Sequence, residues 1–235
     1  MKIMKKQMPD HPFIIKETKH WLAVNKPAGL NVEQLWDYPS VETQIKNYLK
    51  GVHSREPYLG VVHRIDRPVS GVLLLAKKKS ALRHLNQQFA DRKVQKIYWA
   101  MCLGVPPKKE GTLIHYLQKD QKNKCAVAFS DARPQAVLAE LKYRVIQVNG
   151  NVSQLEIRPL SGKFHQIRVQ LASIGCPLLG DEKYGGPANG QPNEIALHAR
   201  QLVFVDPLGE QEEIVIAELP EKNKLWQSWR KEDLI

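Results

Sequence analysis

Hydrophobic positions along the chain come in short alternating runs, broken by turn residues and interleaved with stretches of helical spacing. Phe13-Ile14-Ile15 and Trp21-Leu22-Ala23-Val24 read as two strands, followed by the turn Asn25-Lys26-Pro27-Ala28-Gly29. Residues 39–50 place Val41, Ile45 and Leu49 on one face, which predicts a helix stopping at Gly51. The continuous apolar run 71–76 predicts a strand. A helix is expected next, from Ser80 as N-cap through Asp91, with Ala81, Leu82, Leu85 and Phe89 at helical intervals. Segment 94–103 alternates as a strand does. Ile97, Trp99, Met101 and Leu103 share the expected core face, and Tyr98 lies with Val94, Lys96 and Ala100 on a mixed face where a ring can meet a ligand.

Residues 105–135 are polar, with short strand-like pieces, and suit mobile surface fingers. Asn149-Gly150 predicts a hairpin between strands near 136–148 and 151–158. A short helix over 164–174 would bury Phe164, Ile167, Leu171 and Ile174 and end at Gly175. Strands near 195–205 and 213–217 and a helix near 221–230 close the chain. No steady strand–helix–strand rhythm is present, so the pattern favours an α+β fold with a mixed or antiparallel sheet over a doubly wound one. With no repeat and no linker, residues 13–235 are expected to form one domain behind an extension of residues 1–12.

Composition narrows the class. At 43% hydrophobic and 25% charged residues the 235-residue chain is ordinary globular material. Its longest apolar runs are too short to span a membrane, and no apolar segment follows the basic N-terminus, so neither an anchor nor a signal peptide is expected. Cys102, Cys125 and Cys176 are odd in number and far apart, which suits reduced thiols in the cytoplasm better than a disulfide framework or a zinc site. Net charge is +11 and uneven: residues 1–200 hold 31 basic against 16 acidic side chains, residues 201–235 hold 4 against 8. Such an excess points to a polyanion, most often nucleic acid, or simply to solubility.

Three places concentrate polar chemistry. In His63-Arg64-Ile65-Asp66-Arg67-Pro68-Val69-Ser70-Gly71, flanking arginines would hold Asp66 ionised as a base or nucleophile; the plain alternative is a structural turn. In the turn Leu160 to Arg168, Gly162 and Lys163 offer free amides and a cation to a phosphate. Arg168 beside the apolar stripe needs an anion, which a local ion pair would also supply. Residues 77–96 carry Lys77, Lys78, Lys79, Arg83, Arg92, Lys93 and Lys96 against Asp91, suiting phosphate contacts or a solvated face. Nucleotide-loop glycines, HExxH, CxxC and GxSxG patterns are absent, and the eight histidines show no paired metal spacing.

Together these segments resemble the RluA-type pseudouridine synthases. HRIDRPVSG is similar to that family's HRLDxxTSG signature, and LSGKFHQIRVQLASIGCPLLGDEKYG to its second long motif. ETKHWLAVNKPAGL, KIYWA and LHARQLVFVDP resemble further family segments, in family order, from about residue 13 to 207. The resemblance implies the pseudouridine synthase core, a mixed, largely antiparallel sheet with flanking helices and an RNA cleft. It implies Asp66 as catalytic aspartate, Tyr98 as the ring against the target base and Arg168 as the partner of Asp66, with no metal or cofactor. Arg64 takes the position that replaces the flipped base or meets its phosphate. Lys77, Lys78, Lys79, Lys96, Lys163, His165 and Gln166 are expected to contact RNA. Lys163 and Phe164 depart from the family's usual Arg and small polar residue, so a bidentate phosphate fork is lost at that point. A catalytic-domain-only, monomeric enzyme acting on structured ribosomal or transfer RNA is the expectation. An RNA-binding protein without turnover is the rival from another class, and a metal-dependent nuclease a third.

Overall fold

A computed structural model describes residues 13–35, 38–52, 57–209, 211–220, 224–227 and 229. One eleven-stranded sheet organises them, in the order β1-β2-β4-β10-β5-β9-β8-β6-β7, with β11 added on β10 and β3 on β4. The strands are β1 Ile14–Glu17, β2 Trp21–Lys26, β3 Gly60–Val61, β4 Ser70–Ala76, β5 Gln95–Leu103, β6 Glu110–Asp120, β7 Cys125–Phe129, β8 Val137–Asn149, β9 Val152–Pro159, β10 Leu197–Val205 and β11 Glu212–Ile216. Every pairing is antiparallel except the short β4–β10 contact, Ser70 with His198 and Gly71 with Ala199. The mixed, mostly antiparallel sheet expected of an α+β chain is therefore present.

The apolar runs explain where the core lies. β4 reads as an uninterrupted run because both its faces are covered. Leu73 and Leu75 enter the main core, while Val72, Leu74 and Ala76 enter a second cluster under the helix α2, Lys79–Ala90. The helix α1, Val41–Val52, closes the main core with Val41, Ile45 and Leu49, all fully buried. Its start is stitched reciprocally: the Thr43 amide donates to Ser40 Oγ at 3.1 Å, and the Ser40 amide donates to Thr43 Oγ1 at 3.2 Å. It runs through Gly51 instead of stopping there.

Several expectations need correction. The finger region 105–135 is mostly sheet: β6 and β7 form a hairpin laid on β8, and Leu117, Ala126, Ala139 and Val169 make a small core that holds it. On β5 the Trp99–Met101 side packs only a small cluster with Trp226 and Trp229. The Tyr98–Ala100–Cys102 side faces the main core, and β5 is covered on both faces because it lies in the middle of the sheet between β10 and β9. α2 begins one residue before Ser80, with Lys78 as a cap that makes no side-chain bond. The short helix α3, Gln166–Ser173, starts later than its apolar spacing suggests, because His165 adopts a left-handed backbone with φ 53°. That turns Phe164 out of the stripe to 40% exposure, while Ile167 and Leu171 stay buried and Gly175, at φ 76°, ends the turn. Of the expected helix near 221–230 only a 3₁₀ turn, Lys224–Trp226, is described, and residues 221–223, 228 and 230 lie outside the described residues.

Candidate active site

The site forms where the two halves of the sheet meet. Across the sheet, Gly71 on β4 faces Ala199 on β10, which faces Tyr98 on β5, which faces Ile157 on β9. This junction demands glycine at position 71. Its φ is 115°, and a Cβ there would overlap the Ala199 backbone. Beside it Ser70 Oγ meets His198 Nδ1 at 2.8 Å, and His198 Nε2 meets the Ala217 carbonyl at 3.1 Å. Ser70 and Gly71 thus dock the incoming loop, residues 63–69, against β10, within two strands of the Tyr98 ring.

A buried lysine fixes that loop from the other side. Lys26 is fully buried, and its ammonium donates to the carbonyls of Pro27 at 2.9 Å, Leu30 at 2.8 Å and Arg67 at 3.1 Å. The Gly29 amide donates to the Arg67 carbonyl, and Arg67 Nε returns a bond to the Gly29 carbonyl. Burial pulls the Lys26 pKa down to about 7, against the attraction of Asp66. The NKPAG turn and the Asp66 loop are one clasped unit.

Arg168, 4% exposed, organises the carboxylates. Its Nε and Nη2 form a two-pronged pair with Asp181, at 2.7 and 2.8 Å, and its Nη1 reaches Asp66 Oδ2 at 3.2 Å. The expected Asp66–Arg168 contact exists, but the guanidinium fork belongs to Asp181. The sequence neighbours do not hold Asp66. Arg64 pairs with Glu33 at 2.7 Å and Arg67 turns to Gly29. Burial pushes the Asp66 carboxyl above its usual range, with Arg168 and then Lys26 pulling the other way. Burial also raises the Tyr98 hydroxyl well above its ordinary value, so it remains protonated.

These groups line one cavity of about 340 Å³, whose walls include Asp66, Tyr98, Phe89, Lys96, His165 and Arg168. Arg64, Lys163 and Gln166 line it too. Lys96 leans on the Ser161 carbonyl at 3.3 Å. Gln166 is committed within the protein: its Oε1 accepts from Ser161 Oγ and the Lys163 amide, and its Nε2 donates to the Glu140 carbonyl. Lys77, Lys78 and Lys79 lie elsewhere. They follow the far end of β4, about 20 Å of strand from Ser70, and Lys77 is tied to Glu17 and the Thr18 carbonyl. Asp181, Tyr184 and Lys26 carry no strong signal alone. In the chain they show only as members of the second long motif, Leu160 to Gly185, and of the NKPAG turn.

Comparison with known proteins gives the family. The family model described as RNA pseudouridylate synthase matches residues 20–173. The chain belongs to that family. It is 33% identical over 226 residues to ribosomal large subunit pseudouridine synthase C of Vibrio vulnificus, covering 92% of this chain and 69% of that one. It is also 33% identical to the dual-specificity RNA pseudouridine synthase RluA of Vibrio parahaemolyticus, covering 88% and 84%. These relatives make it an RluA-type member. Among solved structures, human RNA pseudouridylate synthase domain containing 4 superimposes with a TM-score of 0.74 at 26% identity, covering 89% of each chain. The protein is an isomerase that converts uridine in RNA to pseudouridine. Among the described residues no helix is long and apolar enough to cross a membrane.

Proposed function

We propose that Asp66 is the catalytic carboxylate, that Tyr98 packs against the uracil, and that Arg168 orients Asp66. One observation carries this reading. Asp66 is the carboxylate of the Arg168 pair that opens into the cavity, with its side chain 28% exposed, and the Tyr98 ring lines the same space. The reaction breaks the N1–C1′ bond of the nucleoside, turns the base and joins C5 to C1′. The C5 proton leaves and N1 gains one. A stacked uracil cannot turn, so it must first be flipped into a pocket. There Asp66 acts as nucleophile or as base toward the sugar, and Arg168 stabilises the carboxylate in a space poor in water. Lys96, Lys163 and Arg64 stand at the cavity to meet backbone phosphates.

The RNA we assign is structured ribosomal or transfer RNA, supported by the names of the two Vibrio relatives and by the net charge of +11. A cytoplasmic, monomeric enzyme suits that substrate and the three thiols, which are free. The test is tritium release from RNA labelled at uridine C5, together with pseudouridine mapping of total RNA with and without the gene. Turnover and gene-dependent sites in either RNA class are expected. RNA binding without tritium release would favour the RNA-binding alternative and overturn the assignment of roles.

A further inference from the structure

Asp66 Oδ2 has a second neighbour besides Arg168. His165 Nε2 stands 3.8 Å from it, on an imidazole that is largely buried at the cavity wall. The ring is held from two sides, by Phe164 and by Tyr184. Phe164 stacks on it with centroids 3.8 Å apart, Tyr184 meets it edge-on, and Tyr184 Oη bonds to Nδ1 at 2.8 Å. The backbone supports the same placement, because a left-handed φ at a non-glycine residue costs energy and is kept where the surroundings impose it.

The hydrogen bonds decide which nitrogen carries the proton. The Ala126 amide donates to Tyr184 Oη at 2.7 Å, so that oxygen already accepts. Its own proton is free for His165 Nδ1, and a proton on Nε2 is the tautomer that keeps a bare nitrogen lone pair from facing Asp66 Oδ2. The remaining proton sits on Nε2 and faces Asp66 Oδ2 across 3.8 Å, a gap that must tighten in the substrate complex to become a hydrogen bond. Charge agrees: burial, then Arg168, lowers the His165 pKa to about 3, against Asp181, with Lys183 and Lys119 adding to the fall. Burial likewise raises Tyr184 to about 12, so its hydroxyl keeps its proton.

The geometry points to His165 as a positioning residue for Asp66: a neutral imidazole, its tautomer set by Tyr184, that closes on Oδ2 alongside the single Arg168 Nη1 bond and leaves Oδ1 free for the nucleotide. This inference rests on Asp66 being the catalytic carboxylate. The chain Ala126 N–H, Tyr184 O–H, His165 Nε2–H, Asp66 joins the β6–β7 hairpin to the reaction centre. The hairpin's seating therefore bears on the orientation of the carboxylate.

Two-bond ¹⁵N–¹H spectra of histidine-labelled enzyme test the tautomer directly. The expected pattern for His165 is an unprotonated Nδ1 and a protonated Nε2 at neutral pH; a protonated Nδ1 or an imidazolium overturns the inference. Single-turnover tritium release from uridine-labelled total RNA of cells lacking the gene tests the consequence. His165→Asn is expected to slow the step about tenfold to a hundredfold, as loss of a hydrogen bond to a charged group does, and Tyr184→Phe by about threefold to tenfold, since the bond it removes joins neutral groups. RNA affinity by filter binding should stay within about twofold, and His165→Gln, whose amide reaches the Nε2 position, should recover part of the rate. Unchanged rates in both Tyr184→Phe and His165→Asn overturn the role. Full turnover in Asp66→Asn would instead overturn the reading of Asp66, and leaves the tautomer result standing by itself.

Discussion

Asp66 and Asp181 share one guanidinium and live in opposite surroundings. Asp181 is 2% exposed, follows the turn at Gly180, and takes both prongs of the Arg168 fork. Asp66 lies on the loop feeding β4, takes one bond at 3.2 Å and opens into the cavity. The Asp181 pair is a closed, fully bonded ion pair that aims Arg168. The Asp66 contact is the unsaturated end of the same network, and its spare oxygen is available to substrate. The catalytic role proposed for Asp66 rests on that incomplete satisfaction, which the buried side of the network makes possible.

That contrast can be broken from several directions. Arg168→Met removes the shared cation and leaves a buried carboxylate at Asp181. We expect a loss of about 3–5 kcal/mol of stability, read by denaturant melts, together with loss of turnover. Arg168→Lys should restore charge without the fork and fall between the two. Lys26→Met should act on stability first, since the Pro27 and Leu30 carbonyls lose their donor at about 1–3 kcal/mol each, while Arg67 keeps the Gly29 amide. An unchanged melting temperature there would show that the clasp of the two loops does not depend on Lys26.

At the ring, Tyr98→Leu is expected to cost about 1–3 kcal/mol of base stacking, and Tyr98→Phe less, because the ring remains. Equal defects in single-turnover assays would assign the role to the hydroxyl. The pH profile gives a smaller signal of known sign. Burial raises the Asp66 pKa, so activity that needs the carboxylate should fall, as pH drops, at a pH above that of an ordinary aspartate near 3.8. The smallest effect is expected far from the site. Replacing Lys78 and Lys79 with Gln should change RNA affinity less than replacing Lys96 and Lys163, measured at one fixed salt concentration. The reverse order would place the RNA track along α2.

Much of this was legible in the chain because local pattern and tertiary setting agree. The 71–76 run, the α1 stripe and the Asn149-Gly150 hairpin each report their own burial. The long motifs marked Asp66, Tyr98 and Arg168 as a set. What stayed hidden depends on partners distant in sequence. The β6–β7 hairpin looks polar because its few buried apolar residues, Leu117 and Ala126, find their partners only on β8 and at Val169. Of the lysines at 77–79, the sequence gives no sign that Lys77 is tied to Glu17, 60 residues away. Flanking arginines suggested the wrong partners for Asp66, since Arg64 and Arg67 are drawn to Glu33 and Gly29. His165 looks like a helix residue by spacing, and only its left-handed backbone turns the ring toward Asp66.

The most direct test of the contrast measures Asp66→Asn and Asp181→Asn side by side, for single-turnover tritium release and for melting temperature. Asp66→Asn should lose turnover, by at least about a thousandfold for a group that performs the chemistry, with a melting temperature equal to wild type or higher. The higher value follows from the raised carboxyl pKa: the charged form costs the fold at neutral pH, and Asn relieves that cost. Asp181→Asn should melt lower and, where folded, keep measurable turnover. A thermally intact Asp66→Asn that retains a tenth of the wild-type rate, or an Asp181→Asn that is stable and inert, would contradict the division of labour between the two carboxylates.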